Sequence, residues 1–306
     1  MRWWLPERAT VMVAVVSVAV LVNGCEAKVW GSPPSAENTP LATVSAPEGP
    51  VPEAPPAQST APFDGLDGRV RQATADAAKS GANIETVVLD RDTGQTISNG
   101  NTKPFPIASV AKLFIADDLL MQESQGKTAL SAADHQSLDI MLRSSDDGAA
   151  QNFWNRGGGN AILARVKARY GLPGTTPPSN GHWDVTTSTA SDLVQYYRML
   201  LDGSGGLPPE QANVIIGDLA QSTPTGTDGY PQRFGIPEGL YAEPVAVKQG
   251  WFCCWSGANQ LHVSTGIIGP DHRYVMAISS LEPDDAAAAR ATMTQAVKTM
   301  FPAGRI

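Results

Sequence analysis

Helical and strand-like stretches follow one another in this chain in an order that leaves few architectures open. Leu66, Val70, Ala73 and Ala77 recur at helical spacing, so the pattern predicts a helix from Leu66 to Ser80. Ile84 to Leu89 is a β-branched run, and Asp92-Thr93-Gly94 turns it into a second short strand near Thr96-Ile97, giving a hairpin. An apolar helix runs from Ser109 to Gln122, with further helices up to Leu219. Leu240 to Ile278 reads as strands, broken at Ser256-Gly257-Ala258-Asn259 and at Gly269-Pro270-Asp271. Asp284 to Met300, rich in Ala, Arg and Met, is a last helix stopped by Pro302 and Gly304. The βαβ alternation of a doubly wound parallel sheet is missing. The expected fold is α+β: an antiparallel five-stranded sheet flanked by the terminal helices, with an all-helical insertion, spanning residues 64–306.

The N-terminal quarter has a different character. Arg2 and Arg8, diluted by Glu7, precede an almost wholly apolar run from Val11 to Val22, too short for a stable membrane span. It ends at Leu21-Val22-Asn23-Gly24-Cys25, which resembles the lipobox of bacterial lipoproteins, although Asn23 is an unusual residue there. Residues 1–24 are therefore expected to be a lipoprotein signal peptide. Cys25 is expected to carry the lipid, such as palmitate, that holds the protein to the bilayer. The alternative is an ordinary signal peptide in which Cys25 is incidental. Nine prolines fall between Pro33 and Pro62, so residues 25–63 form a lipidated cysteine and a proline-rich tether. At about 3.1 Å per residue the tether reaches on the order of 100 Å. This organisation puts the globular part outside the cell membrane, on its outer face and within reach of the cell wall.

Composition narrows the chemistry. The net charge of -8 offers no electrostatic footprint for nucleic acid. His135, His182, His262 and His272 do not lie beside another His or Cys at metal-ligand spacing, so neither a metal nor a cofactor is expected.

Three short motifs carry the chemistry. Ser109-Val110-Ala111-Lys112 opens the central helix, where residues three apart share a face, so the lysine amine can take the serine proton. A second S-x-x-K, Ser124-Gln125-Gly126-Lys127, ends the same helix at a glycine and is set aside as accidental. Ser145-Asp146-Asp147 precedes the small residues Gly148-Ala149-Ala150; taken alone it reads as a helix cap. Lys248-Gln249-Gly250-Trp251 lies inside an expected strand, where a glycine permits close approach of the backbone.

In this order, on these elements, the motifs resemble S-x-x-K, S-D-N and K-T-G of the serine β-lactamases of class A and the penicillin-recognising D,D-peptidases. Lipobox, proline tether and such a domain together are similar to mycobacterial-type lipoproteins. The resemblance implies that Ser109 is the nucleophile, Lys112 its base and Ser145 a proton relay to the leaving group. It implies that Asp147, Lys248, Gln249, Gly250 and Trp251 line the substrate site, with the Ser109 and Trp251 N–H groups forming an oxyanion hole. The implied partners are a peptidoglycan stem peptide or a β-lactam-like small molecule.

The departures bear on activity. Residues 171–183, Gly171-Leu172-Pro173-Gly174-Thr175-Thr176-Pro177-Pro178-Ser179-Asn180-Gly181-His182-Trp183, hold no Glu or Asp, whereas class A enzymes place a glutamate there to activate water. Asp147 replaces an amide donor and Gln249 replaces a hydroxyl. Two functions stay open: a serine hydrolase or acyltransferase that is a poor β-lactamase, and a lipid-anchored binding protein without turnover. Cys253 and Cys254 are either a disulfide between adjacent residues or two thiols buried on opposite faces of a strand. Replacing Cys25 by Ser is expected to move the protein from the membrane to the soluble fraction, as read by cell fractionation and by loss of labelled-palmitate incorporation.

Overall fold

The computed structural model describes residues 63–306; the signal peptide, Cys25 and nearly all of the tether lie outside the described residues. Helix α1 (Leu66–Lys79) leads into strands β1 (Asn83–Asp90), β2 (Thr96–Ser98) and the short β3 (Phe105–Pro106). A 3₁₀ turn, Ala108–Ala111, then runs directly into α2 (Lys112–Ser124). The helical block continues with α3 (Ala132–Arg143), α4 (Asp147–Arg156) and α5 (Asn160–Tyr170). After β4 (Thr187–Ser188) come α6 (Ala190–Asp202), α7 (Pro209–Ala220) and the single turn α8 (Ile236–Gly239). Strands β5 (Val245–Trp255), β6 (Asn259–Ile268) and β7 (Tyr274–Glu282) precede the terminal helix α9 (Ala286–Met300).

The sheet has the order β2-β1-β7-β6-β5 and is antiparallel throughout. The expected α+β architecture is the one observed: five strands, terminal helices α1 and α9 on one face, helical insertion on the other. The Ile84–Leu89 run lacks alternation because β1 is buried on both faces. Val88 joins Val70, Met276 and Val297 under the terminal helices, while Val87 joins Val263, Ala277 and Ile115 under the insertion. The chain leaves the sheet after β2 at one edge and re-enters at β5, the opposite edge. One side of β5 therefore remains free of a partner strand within the sheet.

Boundaries depart from expectation where a cap or a special backbone angle intervenes. The central helix opens as a 3₁₀ turn because Ala108 sits at φ 46, a left-handed angle that an α-helix cannot include. The last helix starts at Ala286 because Asp285 caps it, accepting the Ala287 and Ala288 N–H groups at 2.8 and 2.9 Å. The last strands begin at Val245 rather than Leu240, since Leu240 closes the α8 turn through its N–H to Ile236. At its far end β5 loses register with β6 between Phe252 and Trp255, and Cys253 and Cys254 are exposed and joined by a disulfide. Two thiols buried on opposite faces of a regular strand is therefore not the arrangement found.

Helix α2 is buried along Lys112–Met121, acidic residues included. Asp117 accepts hydrogen bonds from Arg169 and the Tyr170 hydroxyl, and Asp118 takes a bidentate pair from Arg165, both at 2.7 Å. Both arginines and Tyr170 come from α5, so these bonds clamp α5 onto α2. Asp117→Ala would strand the Arg169 guanidinium and is expected to cost about 3 kcal/mol. In a thermal melt this should appear as a fall in Tm on the order of 10 °C.

Strand β5 approaches the turn that starts α2 because residue 250 has no side chain. A Cβ on Gly250 would stand 2.6 Å from the Ile107 carbonyl oxygen and 3.3 Å from Ala108 Cβ. Gly250→Ala must push the two backbones apart, so a loss of about 1–3 kcal/mol is expected in a denaturant titration.

Candidate active site

Of the residues singled out in the sequence, Ser109, Lys112, Ser145, Asp147 and Lys248 converge where α2, the start of α4 and β5 meet. The short β3–β4 pair holds the approach to the site: Ile107 donates its N–H to the Thr186 carbonyl at 2.9 Å. Ala108, at its left-handed angle, then turns the chain so that Ser109 faces the lysine one turn ahead. The Lys112 Nζ lies 2.9 Å from Ser109 Oγ. It also lies 2.6 Å from the Ser145 carbonyl, 3.2 Å from Ser145 Oγ and 2.6 Å from Asp147 Oδ1. The Lys112 side chain is 0% exposed, against 73% for Asp147. Burial pushes the Lys112 ammonium below its ordinary range, and the Asp147 charge opposes that shift.

The second motif is positioned by helix capping and by an unusual backbone angle. Asp146 caps α4, accepting the Ala149 N–H at 2.7 Å. The cap reading holds at Asp146, while its neighbours Ser145 and Asp147 turn to the Lys112 amine. Ser145 precedes the cap at φ 58, which brings both its carbonyl and its hydroxyl onto the Lys112 amine. Non-glycine residues held at such angles cost about 1–3 kcal/mol and concentrate at functional sites; here Ala108 directly precedes Ser109, and Ser145 bonds the amine.

Strand β5 supplies the third wall. Lys248 Nζ donates to Ser145 Oγ at 2.8 Å and to the Gln249 carbonyl at 3.1 Å. Burial first, and Lys112 second, push its ammonium well below the ordinary lysine range. Ser109, Lys112, Ser145 and Lys248 thus form one hydrogen-bonded chain of alternating hydroxyls and amines. Gln249 corrects the expectation of a substrate-facing side chain. Strand alternation turns it to the other face, where its Nε2 donates to the Gln232 and Phe234 carbonyls at 2.9 and 2.7 Å. Trp251 shares that face, stacked on Tyr230 at 4.7 Å with its Nε1 3.2 Å from Asp228 Oδ2. The Trp251 side chain is thus turned away from the face that carries Lys248.

Two features escape sequence reasoning. Trp183, the last residue of the carboxylate-free loop, puts its ring 4.8 Å from Lys112 Nζ. A lone buried tryptophan ending a Gly/Pro/Thr-rich loop is the only signal that was available. The pairing of Asp147 with Lys112 was also missed, since a motif read as substrate-binding gave no hint of an internal ion pair. The second S-x-x-K makes no such cluster: Ser124 Oγ donates to the Met121 carbonyl at 2.8 Å, and Gly126, at φ 66, separates it from the exposed Lys127.

Residues 69–133 match the model of the Beta-lactamase enzyme family, a stretch that contains Ser109 and Lys112. The fold is shared with a β-lactamase from Chitinophaga pinensis, 15% identical, covering 78% of this chain and 100% of that one at a TM-score of 0.64. It is shared equally with PBP-A, 17% identical, covering 79% and 96% of the two chains at a TM-score of 0.64. Identities so low speak for the fold alone. LppW of Mycobacterium tuberculosis, which is named as a lipoprotein, is 57% identical over 312 aligned residues, covering 97% of this chain and 98% of that protein. This chain therefore belongs to the LppW family of β-lactamase-like lipoproteins.

Proposed function

We propose that this protein is an exported serine hydrolase or acyltransferase that forms an acyl-enzyme on Ser109. In this reading it is held to the outer face of the cell membrane by a lipid on Cys25 and acts on peptide or amide bonds in the cell wall. A peptidoglycan stem peptide or a β-lactam-like molecule is the substrate class that the β-lactamase-like fold favours. The observation that carries the reading is the unbroken chain Ser109–Lys112–Ser145–Lys248, because each link is within hydrogen-bond distance.

In the first step Ser109 Oγ attacks the substrate carbonyl carbon while its proton passes to the neutral Lys112 amine. The N–H groups of Ser109 and Trp251 hold the developing oxyanion, β5 being an outer strand with alternate N–H groups free. When the carbonyl–nitrogen bond breaks, the leaving nitrogen takes a proton from the Ser145 hydroxyl, which is refilled from Lys112. Lys248 keeps Ser145 in place and favours an anionic group on the leaving side. Release of the acyl group is slow, since residues 171–183 offer Trp183 to Lys112 and no carboxylate to activate water.

A second reading, a lipid-anchored binding protein without turnover, is favoured by one observation. The Asp147 carboxylate at 2.6 Å stabilises the protonated Lys112 and so opposes its use as a base.

Intact mass after incubation with a β-lactam or an active ester distinguishes the two. A long-lived adduct on Ser109 is expected, with little steady turnover, lost in Ser109→Ala and reduced at least about a hundredfold in Lys112→Ala. Ser124→Ala should behave as wild type. The acylation rate should rise with pH as Lys112 loses its proton. Inertness of the wild-type protein towards every acyl donor would establish the binding-protein reading instead.

A further inference from the structure

Four oxygen atoms surround the Lys112 amine, and an ammonium has three protons to give them. The deficit grows when Ser109 is primed. A neutral amine has two N–H groups, and its lone pair must face the serine hydroxyl. At that moment Asp147 loses the cation that balances it. Its carboxylate is 73% exposed and shares the Lys112 amine with Ser109 Oγ, so it lies no more than two hydrogen-bond lengths from the nucleophile. An ionised carboxylate accepts hydrogen bonds and donates none. Any acyl donor that presents its carbonyl to Ser109 must bring its neighbouring substituent up to this acceptor.

Resting on the acyl-transfer reading above, we infer that Asp147 makes the site select acyl donors that carry a free, protonated amine on the carbon next to the reacting carbonyl. Such an ammonium sits two bonds from the carbonyl carbon, within the span between Ser109 Oγ and the Asp147 carboxylate. It supplies the N–H donors and the charge that Asp147 lacks once Lys112 is neutral. An N-acylated donor brings an amide carbonyl to the same place, and two acceptors face each other with no proton between them. The surroundings point the same way. The exposed Asp228, bonded to Trp251 Nε1 across β5, is close enough for its charge to act on Lys112 and Lys248, while those two cations are buried. The bound ammonium has a further effect: as a like charge it favours the neutral form of Lys112, so the selected donor helps to prime its own acceptor.

The test uses the full-length protein in detergent and four donors: alanine benzyl thioester and its N-acetyl derivative, each as the D and L form. Thiol release and the mass of the Ser109 adduct give the acylation rate. Because Asp147 is well exposed, the preference for the free amine should be moderate, about fivefold to tenfold in the wild-type protein. It should fade above about pH 8, where α-amines lose their proton. Asp147→Asn, which restores an amide donor, should reverse the order. Equal rates, or faster acylation by the acetylated donor, would overturn the inference in the wild-type protein alone, so a poorly folded variant cannot hide the result. An unchanged preference in a folded Asp147→Asn protein would overturn it as well. If acylation occurs without an amine preference, only this inference fails. If no donor acylates Ser109, the acyl-transfer reading fails and this inference with it.

Discussion

Taking a lysine amine out of water costs several kcal/mol unless its protons find acceptors, and the centre of this molecule is organised around that requirement at Lys112. The residue is fully buried in α2, and its acceptors come from the turn before α2, the segment before α4 and α4 itself. Trp183 closes the remaining side with the face of an indole. The helical elements around the cleft are thus tied to one nitrogen atom, and β5 joins them through the bond of Lys248 to Ser145. The same desolvation that makes the amine costly to bury also lowers its affinity for a proton, against the opposing charge of Asp147.

Bringing a sheet edge against the start of a helix is the second requirement. Gly250 lets β5 pass the Ile107 carbonyl, and the left-handed angles at Ala108 and Ser145 aim two hydroxyls at one amine. These strained positions are held by well-packed neighbours: the Asp146 cap on α4, the β3–β4 pair, and the clamp of α5 on α2 through Asp117 and Asp118. The rigid parts surround the site and the unusual backbone lies inside it. Asp147 and Gln249 stand where the motifs they resemble carry an amide and a hydroxyl, and the frame around them is intact. On the opposite face Gln249 ties β5 to the loop at Gln232 and Phe234.

Much of the architecture was legible before any coordinates. The long periodic segments, α1, the β1–β2 hairpin, α2 and α9, lie within a few residues of where the apolar pattern puts them, because burial of one face or of a whole element leaves its period in the sequence. Errors fall at ends. Ala108 takes an angle that nothing in its own chemistry announces, and Leu240 is held by a local helical turn that an apolar residue before a strand conceals. In the candidate site, Ser109, Lys112, Ser145 and Lys248 could be chosen from motifs, since their spacing and order are local properties. The direction in which Gln249 points was not legible in the motif, because a motif match ignores the alternation of the strand it sits on. The partnership of Trp183 with Lys112 joins residues 71 positions apart in sequence through a loop without periodicity.

The sequence by itself determined the order of elements, the α+β class, the serine Ser109 with its neighbouring amine Lys112, and the lack of a carboxylate in residues 171–183. Those are consequences of composition and of spacing along one chain, which helical and strand geometry translate directly. The tertiary structure alone decided how the charges pair: that Asp147 shares the amine of Lys112, that Lys248 is bonded to Ser145 rather than open to solvent, and that Cys253 and Cys254 sit exposed at an irregular strand end. Electrostatic partnership depends on distances between residues remote in sequence and on how much water the fold leaves around them, and neither is written in any local pattern.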